Sequence, residues 1–268
     1  MIRSPFFSPL AAGLLSLSLS PMAFATELLH WQQTAYIQDS FYTIALQREH
    51  GSKPETTLSK WHSPIRFYID DRTADRALHE RMVKQHMQHL AAITGLSVTP
   101  TARIDKANLH IIFSSETALA GDLQQDLGIN KPSLHQQLLT DSVCLGRISV
   151  ADNGQIKNAA VLIPVDRARA HGKLMACVVE ELTQVLGLVN DSTAVYPSIF
   201  NDRSFNDFLS GLDYLLLKLL YHPDMKAGMN REKLQPLVAD IVSAEAFQSL
   251  IHDAQRHVQN GSLENWLD

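Results

Sequence analysis

Two adjacent glutamates and an amide share one face of a helix that the sequence predicts near the middle of the chain. Residues 174–186 carry apolar side chains at helical spacing, and Gly187 follows them as a helix stop. Glu180, Glu181 and Gln184 then lie on one side of the helix, because residues three and four apart share a face. Carboxylates grouped in this way can transfer protons or bind a cation, and a solvated helix face has the same composition.

The spacing of these residues resembles the active-site helix of zinc metalloproteases. Zincins use His-Glu-x-x-His, in which two histidines bind zinc and the glutamate is the general base; metzincins add a glycine and a third ligand. The matching positions of this chain are Glu180, Glu181, Gln184, Gly187 and Asn190. The resemblance implies that Glu181 occupies the general-base position. It also implies that Glu180, Gln184 and Asn190 have replaced the three histidines.

Segments on both sides of this helix extend the resemblance to metzincins over residues 65–221. Residues 196–200, Tyr-Pro-Ser-Ile-Phe, are similar to the methionine-containing turn of that fold, with phenylalanine in place of methionine. Residues 209–221 are similar to the helix after that turn, and residues 107–113 to the strand before the active-site helix. The resemblance implies a metzincin-like α+β fold, with a mixed sheet and two long helices. Its further cleft residues are Asp191, Tyr196, Ser198, Phe200, Asp202 and Asp213.

The altered ligand positions predict poor zinc binding. Zinc prefers histidine nitrogen or cysteine sulfur, whereas Glu180, Gln184 and Asn190 offer only oxygen atoms. Calcium, magnesium and manganese accept oxygen ligands, and Asp191 or Asp202 could add to such a set. We therefore expect no resident metal or cofactor, and leave zinc and calcium open.

These observations support two functions. In the first, the chain is a pseudo-protease whose cleft binds a peptide or an envelope protein through Glu180, Glu181 and Gln184. In the alternative, it is a divergent metallopeptidase or other hydrolase, in which Glu181 is the general base beside a non-classical or non-zinc metal. A purely structural role is the third possibility.

The chain also resembles an uncharacterised proteobacterial family of exported proteins, some of them lipoproteins. The shared features are Lys60-Trp61 before the first long strand, Cys177 before Glu-Glu-x-x-Gln, and the Leu-Gly-Leu-x-Asn-Asp run at residues 186–191. This resemblance implies export and carries no assigned activity.

The N-terminus predicts export and the composition limits the partners. Arg3, the short apolar stretch 10–19 and Ala23-Phe24-Ala25 are typical of a signal peptide cleaved after Ala25, with a buried helix as the alternative. No cysteine lies near that position, so lipid attachment there is not expected. We therefore expect a periplasmic or secreted protein. The formal net charge of −5 and the lack of a second long apolar run predict no nucleic-acid binding and no transmembrane segment in the mature chain.

The two cysteines, Cys144 and Cys177, predict a disulfide in an oxidising compartment, with two buried free thiols as the alternative. We expect an N-terminal helical or extended segment at 26–60, a metzincin-like domain at 61–225 and C-terminal helices at 226–268. His86 and His89 have a spacing that can bind metal, but such pairs arise by chance among twelve histidines.

Periodicity predicts the order of the main elements. We expect helices at 28–46, 73–94 and 174–186, a further helix within residues 204–220, and one or two more after residue 232. Leu78, Met82, Leu90 and Ile93 recur at helical intervals in the second of these helices, and Gly95 is placed to end it. Strands are expected at 65–69, 97–99 and 108–113, with loops and short helices at 114–142. A hairpin is expected to turn at Asn153-Gly154.

Overall fold

A mixed sheet of six strands lies at the centre of the computed structural model, which describes residues 29–48 and 56–267 together with Met1. The strands are β1 (Lys60–Trp61), β2 (Ile65–Asp71), β3 (Val98–Pro100), β4 (Leu109–Ser114), β5 (Leu145–Val150) and β6 (Gln155–Pro164). The order β3-β2-β4-β6 is parallel throughout, and β1 pairs in parallel with the start of β6. Only β5 is antiparallel, and it pairs with β6. The predicted strands and hairpin are confirmed.

The hairpin between β5 and β6 turns at the predicted Asn-Gly pair. Gly154 has φ +81°, a conformation that glycine adopts without steric cost. A Cβ at this position would also collide with the backbone of Gly228, so the turn packs directly against the segment before the eighth helix.

One face of the sheet supports the large hydrophobic core. Helix α2 (Arg76–Thr94) ends at Gly95, in the left-handed conformation, as predicted. Of the four apolar residues at helical spacing, Met82, Leu90 and Ile93 are buried, whereas Leu78 is 37% exposed. His79 points inward instead, where its Nδ1 lies 2.8 Å from Asp71 Oδ2. His86 and His89 are also buried on α2.

The opposite face of the sheet carries a second, smaller core. Alternate strand residues point to opposite faces, so Ile112 and Leu162 lie away from the large core. Helices α3 (Leu119–Gln125) and α4 (Pro132–Asp141) cover them with leucine side chains. This confirms the short helices predicted between residues 114 and 142.

The remaining helices pack into the large core. They are α1 (Thr34–Leu46), α5 (Val165–Ala170), α6 (Leu174–Gln184), α7 (Gly211–Leu220), α8 (Arg231–Ser243) and α9 (Glu245–Gln259). Short 3-10 turns lie at His30–Gln32, Ile104–Lys106 and Leu263–Trp266. The helix predicted within residues 204–220 is confirmed as α7. Ser210 caps α7 by accepting from Asp213 N, and a reciprocal bond from Ser210 N to Asp213 completes the cap.

Two predictions about the termini and domains stay open. Apart from Met1, the predicted signal segment 1–25 lies outside the described residues. The proposed domain limits at 60 and 225 stay predictions, although α1, α8 and α9 all contribute to the large core. No helix within residues 29–48 and 56–267 is long and apolar enough to cross a bilayer.

Candidate functional site

Helix α6 carries the two glutamates, and its C-terminal end is held from several sides. The carbonyl of Val185 accepts a 2.8 Å hydrogen bond from Trp61 Nε1. The carbonyl of Leu186 accepts a 2.7 Å bond from the Tyr221 hydroxyl. Gly187 follows with φ +121°, and a Cβ there would collide with the Ser59 carbonyl oxygen. These contacts satisfy carbonyls that a helix end otherwise leaves unpaired.

Helix α2 holds α6 from the side through His86. The Nε2 atom of His86 lies 3.1 Å from the Val179 carbonyl oxygen and 3.1 Å from Thr183 Oγ1. Since a carbonyl only accepts, this nitrogen carries the proton when it bonds Val179. Burial lowers the pKa of His86 to about 3 and that of the neighbouring His89 to about 4. Both histidines therefore pack as neutral core residues at neutral pH.

The edge strand β5 lies directly against α6. The predicted disulfide between Cys144 and Cys177 is confirmed, and it joins the residue before β5 to α6. One turn further along α6, Glu181 is 5% exposed. A Cβ on Gly146 would lie 2.8 Å from Glu181 Oε2 and 3.1 Å from Val185 Cγ1. Glycine at this position therefore permits the close approach, a feature that the sequence analysis missed.

An acidic cavity of about 330 Å³ lies between α6, the start of β5 and residues 191–206. Its carboxylates are Asp141, Glu180, Glu181, Asp191 and Asp202, and its lysine is Lys173. The lysine is paired with Asp207 at 2.6 Å. Glu180, Asp191 and Asp202 each place one carboxylate oxygen here, and these three atoms lie within 4.8 Å of one another. The amide of Gln184 donates to Asp191 at 2.6 Å.

The third ligand position of the zincin pattern lies away from this cavity. The side chain of Asn190 is buried and donates to the Thr43 carbonyl oxygen at 3.1 Å, which ties it to α1. Its neighbour Asp191 lines the cavity instead. The structure thus brings Glu180, Glu181 and Gln184 together with Asp191 and Asp202, and not with Asn190.

The predicted turn at 196–200 packs as buried support. Ser198 Oγ donates to Asp213 Oδ1 at 2.6 Å, and the Ile199 N–H donates to Oδ2 of the same residue at 3.0 Å. Burial raises the pKa of Asp213 to about 6, against the effect of these hydrogen bonds. Phe200 is fully buried, whereas Tyr196 is 61% exposed and lines a separate depression. Ser198, Phe200 and Asp213 therefore hold the turn and do not line the acidic cavity.

A family comparison covers this whole arrangement. A family model described as a protein of unknown function, DUF2927, matches residues 34–240, from α1 into α8. The chain belongs to this DUF2927 family. No curated protein matches the chain.

A second cavity of the DUF2927 chain, which we call the basic groove, follows the same edge strand. It has a volume of about 580 Å³ and shares Leu145, Gly146 and Gln184 with the acidic cavity. Its apolar wall consists of Leu127, Ile129, Leu134, Leu138, Val185 and Val189. Arg48, Lys131 and Arg147 also line it. No sequence pattern predicted this groove, because Arg48, Lys131 and Arg147 are not grouped along the chain.

Proposed function

We propose that the chain is a pseudo-protease whose cleft binds an extended peptide segment of a partner protein. The observation that carries this proposal is the position of β5, an edge strand that lies against Glu181. The acidic cavity lies at the start of this strand, and the basic groove follows its first four residues. Edge strands bind extended peptides by pairing with their backbone, and adjacent pockets then select the side chains. Two contiguous cavities along one short strand have the layout that this mode of binding needs.

The composition of the cleft favours binding over zinc catalysis. The three positions that hold histidine in metzincins carry oxygen ligands here, and the amide of Asn190 bonds α1. The mixed sheet, the long helix α2 and the placement of Glu181 beside the edge strand agree with a zincin-like frame. We infer that the frame is retained for recognition, with Glu180, Glu181 and Gln184 as hydrogen-bonding groups.

The proposed setting is outside the cytoplasm. The Cys144–Cys177 disulfide is compatible with export, since such bonds persist in oxidising compartments. The partner is then a protein of the envelope or the medium, which agrees with the signal expected at residues 1–25.

Hydrogen exchange on a peptide complex tests this proposal. A peptide selected from a random library is expected to slow backbone amide exchange in residues 143–150, because strand pairing covers that edge. Strand β3, at the opposite edge of the sheet, is the internal control, and its amide exchange is not expected to slow. Selected peptides that protect neither β5 nor α6 would contradict the proposal.

A divergent hydrolase is the second candidate, favoured by the mutual distance of Glu180, Asp191 and Asp202. Three carboxylates so placed could hold a hard cation such as calcium, with Glu181 as the base that activates water. Digestion of a peptide library with calcium, with zinc and with a chelator separates the two candidates. Metal-dependent cleavage that Glu181→Gln abolishes would replace the pseudo-protease proposal, as would one zinc per chain lost in Glu180→Ala.

A further inference from the structure

The basic groove combines an apolar wall with cations in a way that the proposed function does not explain. Leucines from α4 and the preceding loop form one side, and Val185 and Val189 form the other. A cavity of about 580 Å³ lies within the range that small-molecule and peptide side-chain sites occupy. Apolar walls with a few polar groups are typical of such sites.

Arg48 gives the groove an unsatisfied donor. Its Nη2 donates to Ser59 Oγ at 2.9 Å, which fixes the guanidinium. Its Nη1 is buried and has no hydrogen-bond partner among the residues that the structure describes. Burial lowers the pKa of this arginine. A buried N–H of a charged group is costly unless an acceptor satisfies it. Arg48 lines the groove, so a rotation of its guanidinium would present this donor to an anion bound there.

The charged side chains that line the groove, among the described residues, are all cationic. Lys131 is exposed at the rim, and Arg147 donates to the Leu127 carbonyl oxygen on the apolar wall. None of the described residues that line the groove is acidic. The acidic cavity at the start of β5 has the opposite charge, so the two cavities select different groups.

We propose that the basic groove binds the C-terminal residue of a peptide, with an apolar side chain against the apolar wall and the carboxylate at Arg48. This inference rests on the proposed peptide-binding function and names its ligand class. The cations and the apolar wall share one cavity, so the ligand must carry its anion and its apolar group close together. In a C-terminal residue, both groups branch from the same Cα. The adjacent edge strand supplies the backbone partner that a free fatty acid would not use.

Fluorescence anisotropy with three labelled peptides tests the proposal on the full chain. The first ends in Ala-Leu with a free carboxylate, the second is its C-terminal amide, and the third ends in Ala-Ser with a free carboxylate. The peptide that ends in Ala-Leu with a free carboxylate is expected to bind at least about tenfold more tightly than either of the others. The amide loses a charge-assisted hydrogen bond, and the peptide that ends in Ala-Ser loses a buried apolar side chain.

Two variants assign the effect to the groove. Arg48→Gln is expected to remove the preference for the acid over the amide. Lys131→Glu changes an exposed residue and is expected to weaken binding of the acid several-fold without affecting folding. Arg103→Gln is the matched control, because Arg103 is an exposed arginine that pairs with Asp105 and does not line the groove.

The outcomes separate this inference from the proposed function. Equal binding of the acid and the amide, with β5 still protected, would overturn the groove assignment and leave peptide binding intact. An unchanged preference in both Arg48→Gln and Lys131→Glu would also overturn it. Binding of dodecanoate with no peptide binding would replace the peptide by a fatty acid and overturn both proposals.

Discussion

The acidic cavity and the basic groove meet at the same three residues of β5 and α6 but differ in charge and in their walls. The acidic cavity is enclosed by α6 and the polar loop after it, and five carboxylates line it. The basic groove is enclosed by leucines of a separate small core, and three cations line it. A peptide that pairs with β5 and enters both cavities would therefore meet opposite potentials in them, and charge would set its direction.

The largest expected effect is a loss of stability at the end of α6, which supports both cavities. Gly187→Ala would place a Cβ against the Ser59 carbonyl at φ +121°, where side chains are strained. We expect the free energy of unfolding to fall by about 4 kcal/mol, measured by urea denaturation. Gly172→Ala is the control: its φ is +67° with nothing within 4 Å, so only about 1 kcal/mol is expected. Equal losses would show that the contact with Ser59 does not matter.

Removal of the disulfide is expected to act on one region more than on the other. Cys144 and Cys177 line the acidic cavity and not the basic groove. The pair Cys144→Ser and Cys177→Ser should lower the free energy of unfolding by about 3 kcal/mol. Amide exchange should rise in residues 141–146 more than in residues 127–134. Reducing agent should reproduce this in the wild type and leave the double variant unchanged.

A smaller change at the shared boundary should affect binding more than folding. Gly146→Ala places a Cβ 2.8 Å from Glu181 Oε2, so β5 or the carboxylate must shift. We expect a loss of about 1–3 kcal/mol of stability, as for other overpacked sites, and weaker peptide binding. Gly121→Ala, with nothing within 4 Å, is the control and should be neutral or stabilising. Unimpaired binding in Gly146→Ala would argue against a ligand at this boundary.

Acidic pH is expected to lower the free energy of unfolding of the fold that supports both cavities. His86 and His89 have folded pKa values of about 3 and about 4, below the ordinary 6.5. The unfolded chain therefore binds their protons first, and the free energy of unfolding falls as pH drops below 6.5. We expect about 1 kcal/mol from each histidine between pH 7 and pH 5.5.

Asp213 acts in the opposite sense, because its pKa is raised to about 6 and folding favours its protonated form. Comparison with His86→Gln isolates the contribution of one histidine. Urea titrations at several pH values should show a shallower acid loss in this variant. An identical slope would mean that His86 is not held neutral by the fold.

Local sequence patterns predicted the elements that local physics determines. Gly95 ended α2, Asn153-Gly154 turned the hairpin, and the glutamates of α6 share the face that the spacing gave. A helix within residues 204–220 was also predicted from periodicity, and the Ser210 cap with Asp213 sets the residue at which α7 begins.

Contacts between distant segments could not be predicted in this way. Leu78 and His79 are both compatible with an inward position, and the bond from His79 to Asp71 decides between them. Gly146 gives no sign in the sequence that Glu181 will lie against it. Likewise, Arg48 and Leu134 line one groove although some 80 residues separate them, which is about the length of a small domain.

The small core beneath α3 and α4 has a consequence for how this protein can diversify. One continuous stretch, residues 115–142, supplies the leucine wall of the basic groove, while the sheet and α6 supply the rest. The preference for an apolar side chain is therefore encoded largely by one continuous stretch, whereas Arg48 lies outside it. Exchange of that single stretch between homologous chains could alter which ligand is preferred and leave the surroundings of Glu181 as they are.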